Sequence, residues 1–554
     1  MGPQRTKLLI ALLALVLFAA ACGAGGDDAG SDTDVAETTD EAAEAGSQAD
    51  DGEEFAVEAA AEEAMEDSDQ ASIAPAPSTT TAQGRSESVA GGLFDSAEAE
   101  QDDAEADNNN FVDYGVRPFV PTSVDPLSTF ALDVDTASYS VARRWVEGGA
   151  VPPLESVRLE EYVNSFDYDY RPPASGLNVV ADAGPSPFTP DNVIVRLGIQ
   201  AEEVANADRP DATLTFVVDT SGSMDRGNRL GLVKAALSRL VVELEPKDQV
   251  AIVTYSDGAE VLLPPTSVED EGVILDAIDA LRTTGSTNLE AGLTRGYDLA
   301  NEAFVDGGIN RVILASDGVA NVGLTDPDGL VGLIRADADR GIQLVTVGVG
   351  MGNFNDETME QLADNGDGFY AYVDTEAEAN KLFTDDLVST LLTVAIDGKI
   401  QVEFDPANVA EYRLLGYENR AVLDDDFRND AVDAGELGAG HQATALYELV
   451  LADGVRPSDS LGTVQLRWED PETRSVTETR LELSGSILED NWTSTSDDFR
   501  LAVTVASLAE ILRDSPHRGD ITLDQIAAEA GGLAAERSDV AEFERLVRDI
   551  VRLS

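Results

Sequence analysis

Thr213-Leu-Thr-Phe-Val-Val218 is a β-branched, almost wholly apolar run. Such a strand must be covered on both faces, the condition of an inner strand in a parallel sheet. A polar loop follows at once, Asp219-Thr-Ser221-Gly-Ser223-Met224. A helical pattern then runs from Leu230 to Leu244, with Leu230, Val233, Leu237, Leu240, Val241 and Leu244 on one face. The unit repeats. Strands are expected at 249–255, 260–263, 311–315, 343–349 and 369–373, and helices at 273–281, 289–303, 330–338, 356–364 and 376–392. Alternation of this kind predicts an α/β domain with a doubly wound, mainly parallel sheet over residues 211–392. In such sheets ligands bind at the carboxyl ends of the strands.

Three loops at those ends carry oxygen donors. The first offers Asp219, Ser221 and Ser223, the second Thr287 within Gly285-Ser286-Thr287-Asn288, and the third Asp317 within Ala315-Ser316-Asp317-Gly318. With no thiolate or imidazole nearby, the set suits a hard divalent cation. Gly222 is expected to let the first loop turn tightly. Asp225 reads as a solvated helix-start residue. The pattern Asp-x-Ser-x-Ser, then Thr, then Asp, in that order along alternating strands and helices, resembles the metal-ion-dependent adhesion site of von Willebrand factor type A (VWA) domains, which are Rossmann-like. The resemblance implies that Ser221, Ser223 and Thr287 coordinate directly and that Asp219 and Asp317 do so directly or through water. With few anionic ligands the metal is left short of negative charge, so an Asp or Glu of a partner protein would complete its shell. The octahedral geometry implies Mg²⁺, with Ca²⁺ or Mn²⁺ as alternatives.

A second motif points elsewhere. Leu132-Asp133-Val-Asp135-Thr136 looks like the nucleophile strand of haloacid-dehalogenase-type phosphotransferases. That chemistry also needs a downstream Lys and an acidic Mg²⁺-binding pair. The lysines that follow, Lys234, Lys247, Lys381 and Lys399, sit in stretches assigned to other elements. Asp133 and Asp135 are therefore expected to cap the next helix and hold a turn.

Charge narrows the partners. The chain of 554 residues carries 106 Asp+Glu against 36 Lys+Arg, a formal net charge of -70. Nucleic-acid binding needs clustered cations and is excluded; attraction to anionic lipid is disfavoured for the same reason. The two histidines, His441 and His517, lie far apart, so a His-based metal or triad site is not expected.

The single cysteine falls at one telling place. Arg5 and Lys7 precede an apolar run from Leu8 to Ala21, which ends in Ala19-Ala-Ala-Cys22-Gly23. The run is too short for a span of about 20 helical residues but fits a signal sequence. Small residues before a Cys resemble the bacterial lipobox, with Ala19 in place of the usual Leu. Residues 1–22 thus read as a lipoprotein signal peptide, with Cys22 lipidated. The protein is expected at the cell membrane, anchored by lipid and facing outside the cytoplasm. Residues 23–110 hold 26 acidic residues against the single Arg85 and few aromatics. Such a stretch cannot offset the ordering entropy of roughly 1–2 kcal/mol per residue and reads as an extended, disordered stalk.

On either side of the α/β domain the pattern changes. Residues 111–185 contain a strand into a turn at 128–136 and helical patterns at Ala137–Glu147 and Val157–Phe166. Residues 393–554 begin with alternating strands at 400–404, 445–451, 462–468 and 480–483, expected to form a small β-sandwich or a single sheet, with 197–199 a candidate strand of the same sheet. Helices are expected from Phe499 to Arg513, Ile521 to Ala530 and Val540 to Leu553. The acidic turns at Glu469-Asp470 and Asp424–Asp426 are explained without a cation. The stretch STFALDVDTASYSVARRWVEGGAVPPLESVRLEEYVNSFDYDY looks like the leader domain of a bacterial VWA lipoprotein family. The order of leader, VWA domain and C-terminal domain of unknown function is similar too. The expected function is metal-dependent binding of a protein partner, with no enzymatic activity. The alternatives are a hydrolase acting through the metal, which needs an activated water and a base, and a structural cell-envelope protein with an idle VWA domain.

Overall fold

The structure is a computed structural model that describes residues 111–554 apart from 133, 319–321, 325, 326, 351–355, 374, 386, 431 and 433. The expected signal peptide with Cys22, the acidic stalk and Asp133 lie outside the described residues.

The central sheet has six strands: β1 (Ala212–Asp219), β2 (Gln249–Tyr255), β3 (Ala259–Ser267), β4 (Ile309–Ser316), β5 (Ile342–Val349) and β6 (Tyr370–Val373). Their order is β6-β5-β4-β1-β2-β3. All neighbours are parallel except β3, which closes one edge antiparallel to β2. Helices α1 (Arg229–Glu243), α2 (Glu271–Ala280), α3 (Leu289–Glu302), α4 (Pro327–Ala338) and α5 (Asp356–Asp364) fill the connections. Successive residues of a strand point to opposite faces, and β1 shows the consequence. Leu214, Phe216 and Val218 pack with Leu237 and Leu240 of α1 and Ile274 and Ile278 of α2. Val217 packs on the other side with Leu293 and Tyr297 of α3 and Leu330 and Ile334 of α4. Both faces are covered, as the apolar run required. The start of β1 is held by a buried pair. Asp248 accepts from Arg209 at 2.9 and 2.6 Å and from the Ala212 amide at 2.8 Å.

The flanking segments fold together. One sheet runs, in order, Val120–Pro121, Val409–Leu415, Gln442–Leu451, Val193–Ala201, Leu177–Pro185. The other runs Gly435–Gly438, Thr393–Phe404, Ser460–Glu469, Val476–Ser484, with Leu127–Ala131 also paired to Thr393–Phe404. Leu197, Ile199, Ala445 and Leu449 of the first sheet share a core with Ile400, Val402, Val464 and Leu466 of the second. This is the expected β-sandwich, and the strand at 197–199 does belong to it. Helices Ala137–Glu147, Leu159–Asn164, Asp497–Leu512, Leu523–Leu533 and Ser538–Leu553 share a second core with Ile194, Leu415 and Leu446 of the first sheet. Residues 111–185 and 393–554, read from sequence as separate regions, thus pair strand to strand. The chain leaves the sandwich at Ala201 and returns at Thr393, with the α/β domain inserted between. Periodicity marks a strand but does not say which distant strand it will pair with.

Two local expectations are corrected. The helix expected at 376–392 is broken into Glu376–Asn380, a π-turn at Lys381–Asp385, and Leu387–Leu391. Asp135 does not cap the helix Ala137–Glu147. Its carboxylate accepts from the Tyr370 amide at 3.0 Å and from Arg420 at 2.9 Å. Glu161 takes over the helix start, accepting from the Ser138 amide at 2.7 Å. Arg420 reaches further, to Glu360 at 3.0 Å and Asp364 at 2.8 Å on α5, so one guanidinium ties the inserted domain to the sandwich.

Candidate metal centre

Parallel pairing builds the site. Val218 of β1 lies opposite Ala315 of β4, so the next residues, Asp219 and Ser316, meet where both strands end. The Ser316 hydroxyl donates to Asp219 Oδ2 at 2.9 Å. The first loop then folds back on the same carboxylate, with the Ser221 amide donating to Oδ1 at 2.8 Å. Ser221 and Ser223 place their hydroxyl oxygens 2.9 Å apart. Asp225 is exposed, as expected, but it lies within the 3₁₀ segment Gly222–Asn228 and α1 begins only at Arg229.

The second loop is tied to the first by backbone. The Gly222 amide donates to the Gly285 carbonyl at 3.1 Å, and the Thr284 amide to the Thr220 carbonyl. Thr287 is buried and its carbonyl accepts from the Val322 amide of the third loop at 3.1 Å. Asn288 then caps α3, its side chain accepting from the Ala291 amide at 3.1 Å. The glycine role differs from expectation. Gly222 does not take a left-handed backbone, whereas Gly285 does, with φ +65. A Cβ on Gly285 would lie 2.9 Å from the Asp257 carboxyl carbon. Asp257 anchors this loop from outside, accepting from the Ser286 amide at 2.9 Å and from its hydroxyl. Those bonds hold the exposed Asp257 carboxyl below its ordinary value.

Asp219, Ser221, Thr287 and Asp317 are buried and Ser223 is half-buried. The three loops therefore bring the expected residues to one end of the sheet. Burial pushes the Asp219 carboxyl up to about 6, with the neighbouring Asp317 charge acting in the same direction and the Ser221 and Ser316 bonds opposing it. Burial and the Asp219 charge also hold the Tyr255 phenol well above its usual value, so it stays neutral. Asp317 has a cationic partner: Arg229, the first residue of α1, reaches its Oδ2 at 2.5 Å.

The donor set fits a hard divalent ion: two carboxylates and three hydroxyls, all oxygen. Two buried carboxylates near one another, one raised by its burial and then by the other's charge, favour a cation between them. Among the described residues no group of three or more His, Cys, Asp or Glu side chains is placed to hold a metal. This site has only two acids, and the hydroxyls supply the rest.

Sequence reasoning missed Ser316, Asp257, Arg229 and Gly285 as parts of the site. The Ser256-Asp257-Gly258 turn directly after β2 was a usable signal. The lysines of the phosphotransferase reading are used elsewhere. Lys234 donates to the Asp279 carbonyl, Lys247 to Arg209, Lys381 to Ser165 and Lys399 to Asn429. His441 packs edge-on to Phe369 and accepts from the Gly438 amide at 3.1 Å, and His517 lies against Phe119.

Fold and loop order define the class: an α/β VWA domain, a family of protein-interaction modules. The von Willebrand factor type A domain profile matches residues 213–385, and a further profile described as von Willebrand factor matches 105–196. The C-terminal profile of the uncharacterized protein YfbK matches 389–458 and 452–553. The chain belongs to the YfbK family of VWA proteins. It is 37% identical to the uncharacterized protein YfbK of Escherichia coli over 458 residues, 78% of this chain and 79% of that protein. It is 25% identical to the uncharacterized protein sll0103 of Synechocystis over 283 residues, 50% of this chain and 66% of that protein. Among solved structures, the von Willebrand factor type A protein from Catenulispora acidiphila covers 69% of this chain and 91% of its own, with a TM-score of 0.40 and 17% identity.

Proposed function

We propose that this chain is a lipid-anchored VWA protein, facing outside the cytoplasm, that binds a partner protein through a divalent metal. Asp219, Ser221, Ser223, Thr287 and Asp317 would hold the ion, with Mg²⁺ the expected occupant and Ca²⁺ or Mn²⁺ as alternatives. A bound ion supplies an electrophilic point for a carboxylate, so the partner presents an Asp or Glu. The observation that carries this reading is the convergence of the buried Asp219 and Asp317 carboxylates at one end of the sheet, where burial and then the Asp317 charge raise Asp219. Val322 stands exposed beside Thr287 and offers an apolar contact at the rim. Membrane attachment rests on the Cys22 sequence context; among the described residues no helix is long and apolar enough to cross a membrane.

The chain is read as a binding protein rather than an enzyme. Neither histidine joins the three loops, and each lysine named above donates to a backbone carbonyl of another element. The test is cross-linking and pull-down from intact cells with the full chain, with and without EDTA, beside Asp219→Ala. The expected outcome is a partner captured by the wild type with metal and lost in both other arms. A partner that stays bound in EDTA and in Asp219→Ala sinks the mechanism. Turnover of a phosphoester by the purified protein would favour the hydrolase instead.

A further inference from the structure

Arg229 stands where a cation is least expected. It opens α1, and the positive end of a helix dipole disfavours basic residues there. The residue before it, Asn228, takes a left-handed backbone and makes no side-chain cap. Arg229 bridges two loops: one nitrogen donates to the Asp317 carboxylate of the third at 2.5 Å and to the Ser223 carbonyl of the first at 3.4 Å. The seat is built for it. Gly350 at the end of β5 has φ +79, and a Cβ there would lie 2.1 Å from Arg229 Nε. A helix-start rule is broken and a backbone is left bare so that one guanidinium can reach one carboxylate.

That carboxylate is one of the five proposed metal ligands. Two cations cannot share a buried carboxylate oxygen without strong mutual repulsion. We propose that Arg229 is an internal cation that occupies Asp317 in the metal-free protein and gives it up to the divalent ion, so that metal binding and withdrawal of the guanidinium are one exchange. The inference rests on the metal-site reading and deepens it.

The exchange changes the charge of the site. Without metal, Asp219, Asp317 and Arg229 sum to one net negative charge when both acids are ionised. With a divalent ion in place of the withdrawn guanidinium, the ion and the two acids sum to zero. The metal-free site repels a partner carboxylate; the loaded site does not, and its ion can take that carboxylate as a ligand. Arg229 sets the threshold: the metal must displace a tethered competitor before the partner can dock.

Metal titration by calorimetry of the full chain tests this, with Mg²⁺ and Mn²⁺ as the probes. Arg229→Gln and Arg229→Met, which remove the charge but keep much of the packing stem, are expected to bind either ion roughly tenfold more tightly than wild type or better. Arg229→Lys keeps the charge and is expected to stay closer to wild type. A competing reading is that Arg229 props the loops together; it predicts weaker binding in the Gln and Met variants. Equal or weaker binding there, beside clear binding in wild type, overturns the inference and leaves the metal site standing. Absence of any ion binding in the folded wild type overturns both. A second measurement needs no variant. Arginine-selective labelling of the wild-type chain, read by mass spectrometry, should modify Arg229 several-fold faster in Mg²⁺ than in EDTA. An unchanged or slower rate overturns the exchange.

Discussion

Two clusters of buried carboxylates in this molecule are treated in opposite ways. Where the sandwich meets the helix Asp497–Leu512, Glu448 and Glu510 lie fully buried around Arg413, at 3.1 and 3.3 Å, and Arg513 closes on Glu510 as well. Burial alone would raise Glu510, but Arg513 and Arg413 more than offset it and the carboxyl sits below its ordinary value. At the strand ends of the inserted domain, Asp219 and Asp317 have Arg229 on one side only, and Asp219 is pushed up to about 6. In the first cluster Glu510 has two guanidiniums bonded to it, Arg413 and Arg513, the latter also holding Glu418. In the second, Arg229 bonds to Asp317 while Asp219 accepts from Ser221 and Ser316, and that imbalance is what a ligand can fill. Buried acids thus mark structure where cations match them and a site where they do not.

The comparison can be broken by removing the matching cation. Arg413→Met leaves Glu448 and Glu510 buried with less compensation, and urea unfolding should show a loss of about 3–5 kcal/mol. A loss under about 1 kcal/mol would mean the cluster is not the structural counterpart described.

A cationic version of the same contrast sits at His441. Burial, and then Arg311 and Lys381, push its imidazole down to about 4. The unfolded chain takes that proton near pH 6.5 and the fold only near pH 4. Between those values the unfolded state binds more protons, so stability falls as pH drops through the window, by up to about 3 kcal/mol. His441→Gln should show a shallower decline between pH 6.5 and 4 than wild type. Parallel stability curves would contradict the shift.

At the under-compensated site the expectation reverses. Asp219→Ala should cost little stability without metal, because it removes repulsion from Asp317 along with the bonds to Ser221 and Ser316. Wild type should gain about 2.7 kcal/mol when Mg²⁺ is a hundredfold above its dissociation constant, and Asp219→Ala should gain nothing. Melting curves with Mg²⁺ and with EDTA decide it; equal gains in both proteins would remove Asp219 from the site. The smallest effect is ionic strength. The chain is strongly acidic overall, and screening acts over about 8 Å at physiological salt. Binding of an acidic partner should therefore strengthen modestly with added salt, while steady weakening from low salt would indicate a basic one.

Much of this was legible in the residues. The β1 strand is apolar on both faces, so its class of sheet follows from solvent exclusion alone. The order Asp219, Ser221, Ser223, Thr287, Asp317 along alternating strands and helices locates the cleft, because parallel strands put their carboxyl ends on one side. The partners of those residues were not legible. Ser316 meets Asp219 through the β1–β4 register, and Asp257 reaches Ser286 across two loops. Asp135 looks like a local cap but is drawn to Tyr370 and Arg420, far along the chain.

Sequence by itself did not mark the strands Leu177–Pro185, Val409–Leu415 and Gly435–Gly438. It determined most strands and helices of the α/β domain, which of their faces are apolar, and that one end of the sheet gathers oxygen ligands. These depend on periods of two and 3.6 residues and on side-chain chemistry, which are local properties. Only the tertiary structure decided that Leu127–Ala131 and Val193–Ala201 pair with strands roughly 250 residues later, and that Arg229 sits on Asp317 while Arg413 and Arg513 close on Glu448 and Glu510. Pairing of charges and strands depends on distance in space, and a burial that turns two equal carboxylates into opposite cases exists only once the chain has closed around them.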